Sequence, residues 1–252
     1  MIIKKNKEQI EGIRKSCKLA AQCLKFIEPY VIPGVSTNEL NDKLNVFIRD
    51  NGAIPAPLGY GGFPKETCIS INEVICHGIP SERVLVEGDI INIDVTTILN
   101  GYYGDTSKMY SVGKISQEAE DLINITKQSL YEGIKAVQPG VAFNRIGNAI
   151  TRFLRDTNYS IVDKFVGHGC GLKFHEDPKI CHYVDDKYQD IGQKIQPNMT
   201  FTIEPMINLG VPDCIILEDK WTAITADKKL SAQYEHMVLV TEKGCEILTE
   251  LN

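Results

Sequence analysis

The 252-residue sequence contains no apolar run as long as a membrane span, and its opening stretch, MIIKKNKEQI, is charged where a secretory signal would be apolar. Basic residues are outnumbered, 27 Lys and Arg against 33 Asp and Glu, and the net charge of −6 argues against a dedicated nucleic-acid binder. The eight cysteines include no C-x-x-C pair, so they are interpreted as reduced thiols. We therefore expect a cytoplasmic protein that has neither a membrane nor DNA as a partner.

What the sequence does contain is a strong hairpin signal in residues 89–107, DIINIDVTTILNGYYGDTS. Two β-rich runs flank Asn100 and Gly101, a pair that favours a type I′ turn because both central residues need φ above zero. With a two-residue turn, Asp94 and Asp105 point from the same face as diagonal neighbours, about 7–8 Å apart. An unpaired carboxylate within an apolar run is costly to bury, so the pattern predicts a cation between the two acids.

The rest of the chain alternates between helical spacing of apolar residues and short β-type runs. Ser36 or Thr37 is a suitable N-terminal cap for the second helix, and a Pro- and Gly-rich loop fills residues 54–67. The periodicity predicts helices at 7–26, 37–49, 117–137 and 144–156, and strands at 68–75, 160–166, 199–204, 223–225 and 234–240.

Several short patterns recur at a nearly constant offset. PGV occurs at 33–35 and 139–141, and F-[IL]-R-D occurs at 47–50 and 153–156, each pair separated by 106 residues. The segment GDIINID also resembles NMTFTIE, 110 residues later. Each segment ends in an acid after an apolar run. A shared offset across a turn and a helix indicates a duplicated helix–helix–sheet unit.

The duplication predicts an α+β fold in which a sheet core from both halves is covered by four helices. The halves span approximately residues 7–110 and 117–245 of one catalytic domain, 1–252. Each half is expected to deliver acids to a common centre.

Four acids and one histidine, which lie in the hairpin, in a glycine cluster and beside apolar runs of the second half, form an oxygen-rich set with a single imidazole: Asp94, Asp105, His168, Glu204 and Glu235. That composition suits one or two divalent ions of the Mn, Fe, Co or Zn type better than a thiolate site would. Two such ions generate a nucleophile from water near neutral pH and polarise a carbonyl, as hydrolysis requires. Taken singly, an acid at a strand end is more often solvated and a histidine more often structural. His182 and His236 lie outside the pattern and are assigned structural roles.

Five blocks of the sequence together resemble the type I methionine aminopeptidases. The blocks are CISINEVICHGIP (68–80), GDIINIDVTTILNGYYGDTSKM (88–109), GHGCGLKFHEDP (167–178), FTIEPM (201–206) and LSAQYEHMVLVTEKGCEILT (230–249). The resemblance implies the pseudo-symmetric pita-bread fold of creatinase and aminopeptidases, around a central antiparallel sheet. It also implies removal of the initiator methionine from nascent polypeptides when the next side chain is small, with two divalent metal ions and a transient contact with the ribosome.

The resemblance further implies a role for each candidate ligand. Asp105 and Glu235 would bridge two ions, Asp94 would chelate one, and His168 with Glu204 would complete the other. Glu204 would also transfer protons during attack by water.

The resemblance assigns two further histidines and the substrate pocket. His175 would stabilise the substrate carbonyl and developing oxyanion, and His77 would contact the backbone past the scissile bond. A methionine pocket would be lined by Tyr60, Phe63, Cys68 and Trp221. A monovalent cation would bind carbonyls near Asn92, Val95 and Ser231.

Three positions depart from the family pattern: Gly61 stands where histidine is common, Cys170 where isoleucine is usual, and Lys173 where a small residue often follows the glycines. The segment resembles the minimal bacterial-type form, with neither a zinc-finger extension nor a helical insertion. Two alternatives remain: a proline dipeptidase or aminopeptidase P of the same fold, and an inactive relative that binds RNA or protein.

Overall fold

The computed structural model describes residues 2–184 and 190–251. Its four α-helices match the predicted ones to within a few residues: α1 (Lys7–Ile27), α2 (Thr37–Asp50), α3 (Gln117–Lys135) and α4 (Asn144–Leu154). Ser36 caps α2 through a reciprocal capping box with Glu39, as the sequence indicates. Among the described residues, no helix is long and apolar enough to cross a bilayer.

Fifteen strands are present in the described ranges, most of them short. They are β1 (Ile54–Pro55), β2 (Cys68–Ile71), β3 (Val74–Cys76), β4 (Ile90–Leu99), β5 (Tyr102–Ser111), β6 (Ser160–Ile161), β7 (Gly167–Gly169), β8 (Glu176–Ile180), β9 (Thr200–Ile203), β10 (Met206–Asn208), β11 (Cys214–Ile216), β12 (Ala223–Thr225), β13 (Ser231–Gln233), β14 (His236–Val240) and β15 (Cys245–Ile247).

Some strand predictions were wrong in extent. The expected strand 68–75 is two strands, because Asn72 adopts a φ of 54° and turns the chain between them. The expected strand 160–166 ends at Ile161. The strands β1, β7, β8, β10, β11, β13 and β15 were not predicted, because they are too short or too rich in glycine and charge for a two-residue period to be visible. Of these, β1 lies in the segment 54–67 that was predicted as a loop.

The predicted hairpin is confirmed. Asn100 and Gly101 form the turn between β4 and β5 with φ values of 53° and 82°, and the ladder places Asp105 opposite Thr96. The hairpin is the centre of a four-stranded sheet in which β1 and β2 also pair with β4. Because β4 is paired along both edges, the direction of its side chains is set by the whole sheet rather than by the turn alone.

The other strands form a five-stranded sheet, β15-β14-β9-β7-β8, and two three-stranded sheets, β13-β10-β6 and β11-β12-β3. One hydrophobic cluster packs α1 and α2 against the hairpin, and a larger one packs α3 and α4 against the strands of the second half. A bridge between Ser107 and Glu235 joins the hairpin to the segment that leads into β14. Through this bridge, the sheet of the hairpin and the sheet that contains β14 meet in the middle of the chain's fold.

The backbone of α1 lies very close to the hairpin at Gly104. A Cβ at this position would lie 2.3 Å from the backbone nitrogen of Cys17 and 2.4 Å from the carbonyl carbon of Ser16. Neither backbone atom can move without displacing the helix. The absence of a side chain at Gly104 is therefore what allows α1 to cover the strand that carries Asp105.

We expect Gly104→Ala to lower the free energy of unfolding by about 3 kcal/mol, because the new methyl group meets backbone. Gly133→Ala is the matched control, since the nearest atoms to its Cβ would be side-chain carbons of Ile150, at 3.0 and 3.3 Å, and of Ile146, at 3.3 Å, rather than backbone. Alanine also gains about 1 kcal/mol in a helix, so this variant should stay within about 1 kcal/mol of the parent. Urea unfolding of both variants measures the difference, and equal losses would contradict the steric explanation.

Candidate metal centre

All five predicted ligands lie close together, where the hairpin meets the strands of the second half. One ligand atom each from Asp94, Asp105 and Glu235 lies within 4.8 Å of the others, and the same holds for His168, Glu204 and Glu235. The two triads share Glu235. The first half contributes two carboxylates, and the second half contributes two carboxylates and the imidazole.

The hairpin acids stand on one face, as predicted, and their oxygens approach more closely than the 7–8 Å spacing of diagonal neighbours. The Thr96 hydroxyl donates to Asp105 Oδ1 at 2.7 Å and so fixes that carboxylate. Asp94 Oδ1 is buried and has no hydrogen-bond partner among the described residues. A buried carboxylate oxygen without a donor is costly unless a cation contacts it.

Glu235 is positioned through its backbone. Its N–H donates to Ser107 O at 3.1 Å, and its own carbonyl accepts the Thr106 hydroxyl at 2.7 Å. Asn92 adds a bond from its side-chain amide to Gln233 O at 2.8 Å. These bonds tie the segment before β14 to the hairpin, so the Glu235 carboxylate is directed at Asp94 and Asp105.

His168 presents its Nε2 atom to the acids. Its Nδ1 lies 3.1 Å from Gly169 O, and because a carbonyl can only accept, Nδ1 carries the proton. Nε2 then directs a lone pair toward Asp105 Oδ2 and Glu204 Oε1, both 3.7 Å away. Burial lowers the His168 pKa to about 3, so the ring is a neutral donor of electrons to a metal.

Glu204 is held by three neighbours that the sequence analysis did not identify. Thr202 donates to Oε1 at 2.7 Å, Gln233 donates to Oε2 at 3.3 Å, and the Glu204 backbone N–H donates to His182 Nε2 at 3.0 Å. Thr202 also accepts the His168 backbone N–H at 3.0 Å, so one hydroxyl links two ligands. A threonine two residues from an acid on a strand shares its face, which is a signal that could have indicated Thr202. The contact of His182 arises only from folding.

Burial dominates the electrostatics of the centre. It raises the pKa of Asp94, Asp105, Glu204 and Glu235 above the usual carboxyl range, and the neighbouring acids raise the pKa of Asp94 and Glu235 further. Four carboxylates this close cannot all be ionised without positive charge between them. The clustered oxygens, the free Nε2 of His168 and the unpartnered Asp94 Oδ1 therefore fit divalent metal ions.

A cavity of about 650 Å³ opens onto the centre. It is lined by His77 and His175, the two further histidines that the sequence analysis assigned to the substrate. The His77 ring meets Phe165 edge-on at a centroid distance of 5.4 Å, and its backbone has a φ of 56°. His175 stacks on Tyr60 at 5.0 Å. Burial lowers the pKa of His77 and brings that of His175 to about 4, so both rings are neutral hydrogen-bond donors near neutral pH.

The predicted apolar slot also lies in this cavity. Tyr60, Phe63, Cys68 and Trp221 all line it, and Phe63 packs edge-on against Trp221 at 5.2 Å. Gly61 adopts a φ of 55°, and a Cβ there would lie 3.2 Å from the Trp221 ring. The glycine therefore gives Trp221 the space it occupies at the end of the slot.

The remaining positions that the sequence analysis singled out are three residues predicted to bind a monovalent cation and one departure from the family pattern, Cys170. Asn92 and Val95 lie in β4, and Ser231 lies in β13, where its N–H donates to Asn72 O at 2.9 Å. A monovalent cation at these positions stays a prediction. Cys170, which the sequence analysis treated only as a departure, is buried with its sulfur within 4.8 Å of one ligand atom each of Asp105 and His168.

Fold and site together define a metallopeptidase, and the chain belongs to metallopeptidase family M24, whose profile matches residues 11–242. Within the family the resemblance to bacterial type I methionine aminopeptidases is confirmed. Methionine aminopeptidase of Salmonella typhimurium is 51% identical over 247 residues, which cover 97% of this chain and 92% of the relative. Methionine aminopeptidase A of Synechocystis is 50% identical over 245 residues, 97% of this chain and 96% of the relative.

Solved structures confirm the fold class. Methionine aminopeptidase from Rickettsia prowazekii superposes with a TM-score of 0.97 at 47% identity, covering 99% of this chain and 100% of that one. Prolidase from Pyrococcus furiosus superposes with a TM-score of 0.77 at 24% identity, covering 99% of this chain and 66% of that one, which shows a shared fold alone. The predicted α+β pita-bread fold is therefore correct.

Proposed function

We propose that this chain removes the N-terminal methionine from newly made polypeptides whose second residue is small, by metal-dependent hydrolysis. The observation that carries the proposal is the convergence of five oxygen and nitrogen ligands beside an apolar slot. Two triads that share Glu235 support two ions rather than one. Asp105 and Glu235 would be shared by both ions, Asp94 would hold one of them, and His168 with Glu204 would hold the other.

The ions, of the Co, Mn, Fe or Zn type, supply an activated water and polarise the scissile carbonyl when bound. Glu204 accepts the proton that the attacking water loses and returns it to the leaving amine, which is general acid–base work. The hydroxyl of Thr202 and the amide of Gln233 hold the two Glu204 oxygens, so the carboxylate keeps one orientation through the proton transfers.

His175 and His77 flank the scissile bond. The neutral His175 ring donates to the carbonyl oxygen as it gains negative charge, which stabilises the tetrahedral intermediate. His77 donates to the substrate backbone past the bond. The rings keep their orientation because His175 packs against Tyr60, and His77 against Phe165 and Trp221.

The slot formed by Tyr60, Phe63, Cys68 and Trp221 holds the methionine side chain. Burial raises the pKa of the Cys68 thiol well above its usual range, so this group stays uncharged and suits a thioether. Aromatic walls on two sides exclude water from the slot.

The cellular setting follows from the substrate. Nascent chains carry an N-terminal methionine in the cytoplasm, where we place the enzyme, in transient contact with the ribosome.

The proposal includes a third ion, a monovalent cation that would bind near Asn92, Val95 and Ser231. The chain acts as one catalytic domain, 1–252, whose halves (approximately 7–110 and 117–245) arose by duplication.

The test is hydrolysis of the peptide Met-Ala-Ser with and without added Mn²⁺ or Co²⁺. We expect release of free methionine only when metal is present, and little cleavage of Xaa-Pro peptides that begin with a residue other than methionine, because the slot selects the first side chain. Equal cleavage of Xaa-Pro peptides would favour the proline dipeptidase alternative. No cleavage with metal bound would favour the binding-protein alternative.

A further inference from the structure

The mouth of the active-site cavity carries an excess of positive charge on a chain whose net charge is −6. Apart from the metal ligands, its charged lining residues are three lysines, Lys164, Lys173 and Lys179, and two acids, Glu176 and Asp177. The lysines are exposed, and we refer to the three as the lysine rim. Local charge at a cavity mouth acts on a charged ligand more strongly than the distant net charge does, because salt screens the latter.

One of the two acids does not offset the rim. Glu176 Oε2 bonds Lys5 Nζ at 2.6 Å in an ion pair whose side chains are 2% and 1% exposed. Its other oxygen, Oε1, accepts the backbone N–H groups of Leu172 and Lys173 at 2.7 and 2.9 Å. The negative charge of Glu176 is therefore neutralised by Lys5 inside the protein. In the part of the lining that the structure describes, Asp177 is the one exposed acid, and the three exposed lysines outnumber it.

The same bonds hold Lys173 in place. With the backbone of Leu172 and Lys173 fixed on Glu176, the loop that carries Phe174 and His175 is a rigid support. The backbone from which the Lys173 side chain extends is therefore fixed close to His175.

Lys179 stands next to the metal centre on the opposite strand. The ladder between β7 and β8 pairs it directly with His168. Cross-strand partners project from the same face with Cβ atoms about 4.5–5.5 Å apart, so Lys179 lies beside the ligand histidine at the edge of the five-stranded sheet.

Lys164 lines the cavity beside His77. It directly precedes Phe165, whose ring packs against His77. The three lysines thus lie next to the His77 wall, the His175 loop and the His168 strand. They border the direction in which a substrate extends once its first side chain fills the slot beside Trp221.

We propose that the lysine rim selects polypeptides that carry Asp or Glu in their third to fifth residues. An extended peptide advances about 3.3 Å per residue, so these side chains lie just past the two histidines that flank the scissile bond. The second residue must be small, so it carries no charged side chain that the lysines could bind. The lysine rim therefore contacts the residues that follow it. The inference rests on the proposed aminopeptidase function and adds a preference within its substrates.

The test compares three peptides, Met-Ala-Asp-Glu-Asp, Met-Ala-Asn-Gln-Asn and Met-Ala-Lys-Arg-Lys, with Met-Ala-Ser as the reference, on the metal-loaded enzyme. All four peptides are amidated at the C-terminus, so that no terminal carboxylate lies at the rim. At low salt we expect kcat/KM for the acidic peptide to exceed that of the neutral one by about five- to tenfold, chiefly through KM, and the difference to shrink in 0.5 M NaCl. The basic peptide should be the poorest of the three.

The variant that carries Lys164→Gln, Lys173→Gln and Lys179→Gln should lose the preference while cleaving Met-Ala-Ser at a rate within about twofold of the parent. Lys173→Gln alone should lose part of it, which guards against a folding defect in the triple variant. Lys243→Gln, an exposed lysine in the turn between β14 and β15, is the matched control and should keep the full preference.

Equal cleavage of all three peptides, with Met-Ala-Ser cleaved normally, would overturn the rim inference and leave the proposed function intact. Retention of the preference in the triple variant would overturn it as well. Inhibition by an RNA oligonucleotide that depends on the three lysines, without any peptide preference, would instead assign the rim to phosphate binding. Failure to cleave Met-Ala-Ser at all would count against the function itself.

Discussion

Glu204→Gln is expected to lower kcat for Met-Ala-Ser by about 10²- to 10⁴-fold, the range that loss of a general acid–base group produces. The glutamine has the same size, so the cavity and slot keep their shape. It cannot accept a proton from the attacking water, and it also binds a cation less well than a carboxylate. Rates must therefore be expressed per equivalent of bound metal, measured on the same samples.

Two variants separate chemistry from structure in this experiment. Glu204→Ala removes the carboxylate altogether and should be at least as inactive with metal bound. Glu242→Gln, in the exposed turn between β14 and β15, should leave the rate unchanged. If Glu204→Ala retained its rate with a full complement of metal, the proton-transfer role would be wrong.

Removal of metal with a chelator is expected to abolish activity and to change how stability depends on pH. In the metal-free chain, burial keeps the pKa of the four centre carboxyls above the usual range. A carboxyl group with a raised folded-state pKa contributes stability that is complete below its unfolded pKa, near 4, and is lost as pH rises through the folded value. The metal-free protein should therefore be less stable at pH 8 than at pH 5.

The expected slope is about 1 kcal/mol per pH unit for each carboxyl that must ionise without a partner. Added Mn²⁺ or Co²⁺ should restore activity, raise the melting temperature and flatten this slope, because the metal binds the ionised folded state. Urea unfolding at several pH values, with and without metal, measures all three effects.

Asp94→Asn should reduce the slope of the metal-free protein and weaken metal binding, whereas Asp50→Asn, at the exposed end of α2, should change neither. A metal-free protein whose stability rises between pH 5 and pH 8 would contradict the account of the four acids as a cation site.

The hairpin shows how far local sequence information reaches. Asn100 and Gly101 adopt a left-handed backbone at two successive positions, and the two-residue turn they form pairs Asp105 with Thr96, which predicts Asp94 and Asp105 on one face. The four helices were predictable for a similar reason, because their apolar spacing and caps are properties of neighbouring residues. Such signals act over a few residues and do not depend on the rest of the fold.

Most strands of the second half could not be predicted from the sequence. β7 and β10 are three residues long, and β7 consists of two glycines around His168, so neither contains enough residues to display a period. They become strands because β9 and β13 lie beside them. Tertiary hydrogen bonding, rather than intrinsic preference, therefore determines this part of the sheet.

The sequence by itself identified the candidate metal ligands and the class of chemistry they suit, because a set of four carboxylates and one imidazole in a fixed order carries that information in residue types. The tertiary structure decided what surrounds them. Thr202, Gln233 and His182 orient Glu204, and Lys164, Lys173 and Lys179 border the cavity, through contacts between segments far apart in the chain. Such contacts follow from packing of the two halves across the Ser107–Glu235 bridge, and no local pattern specifies them.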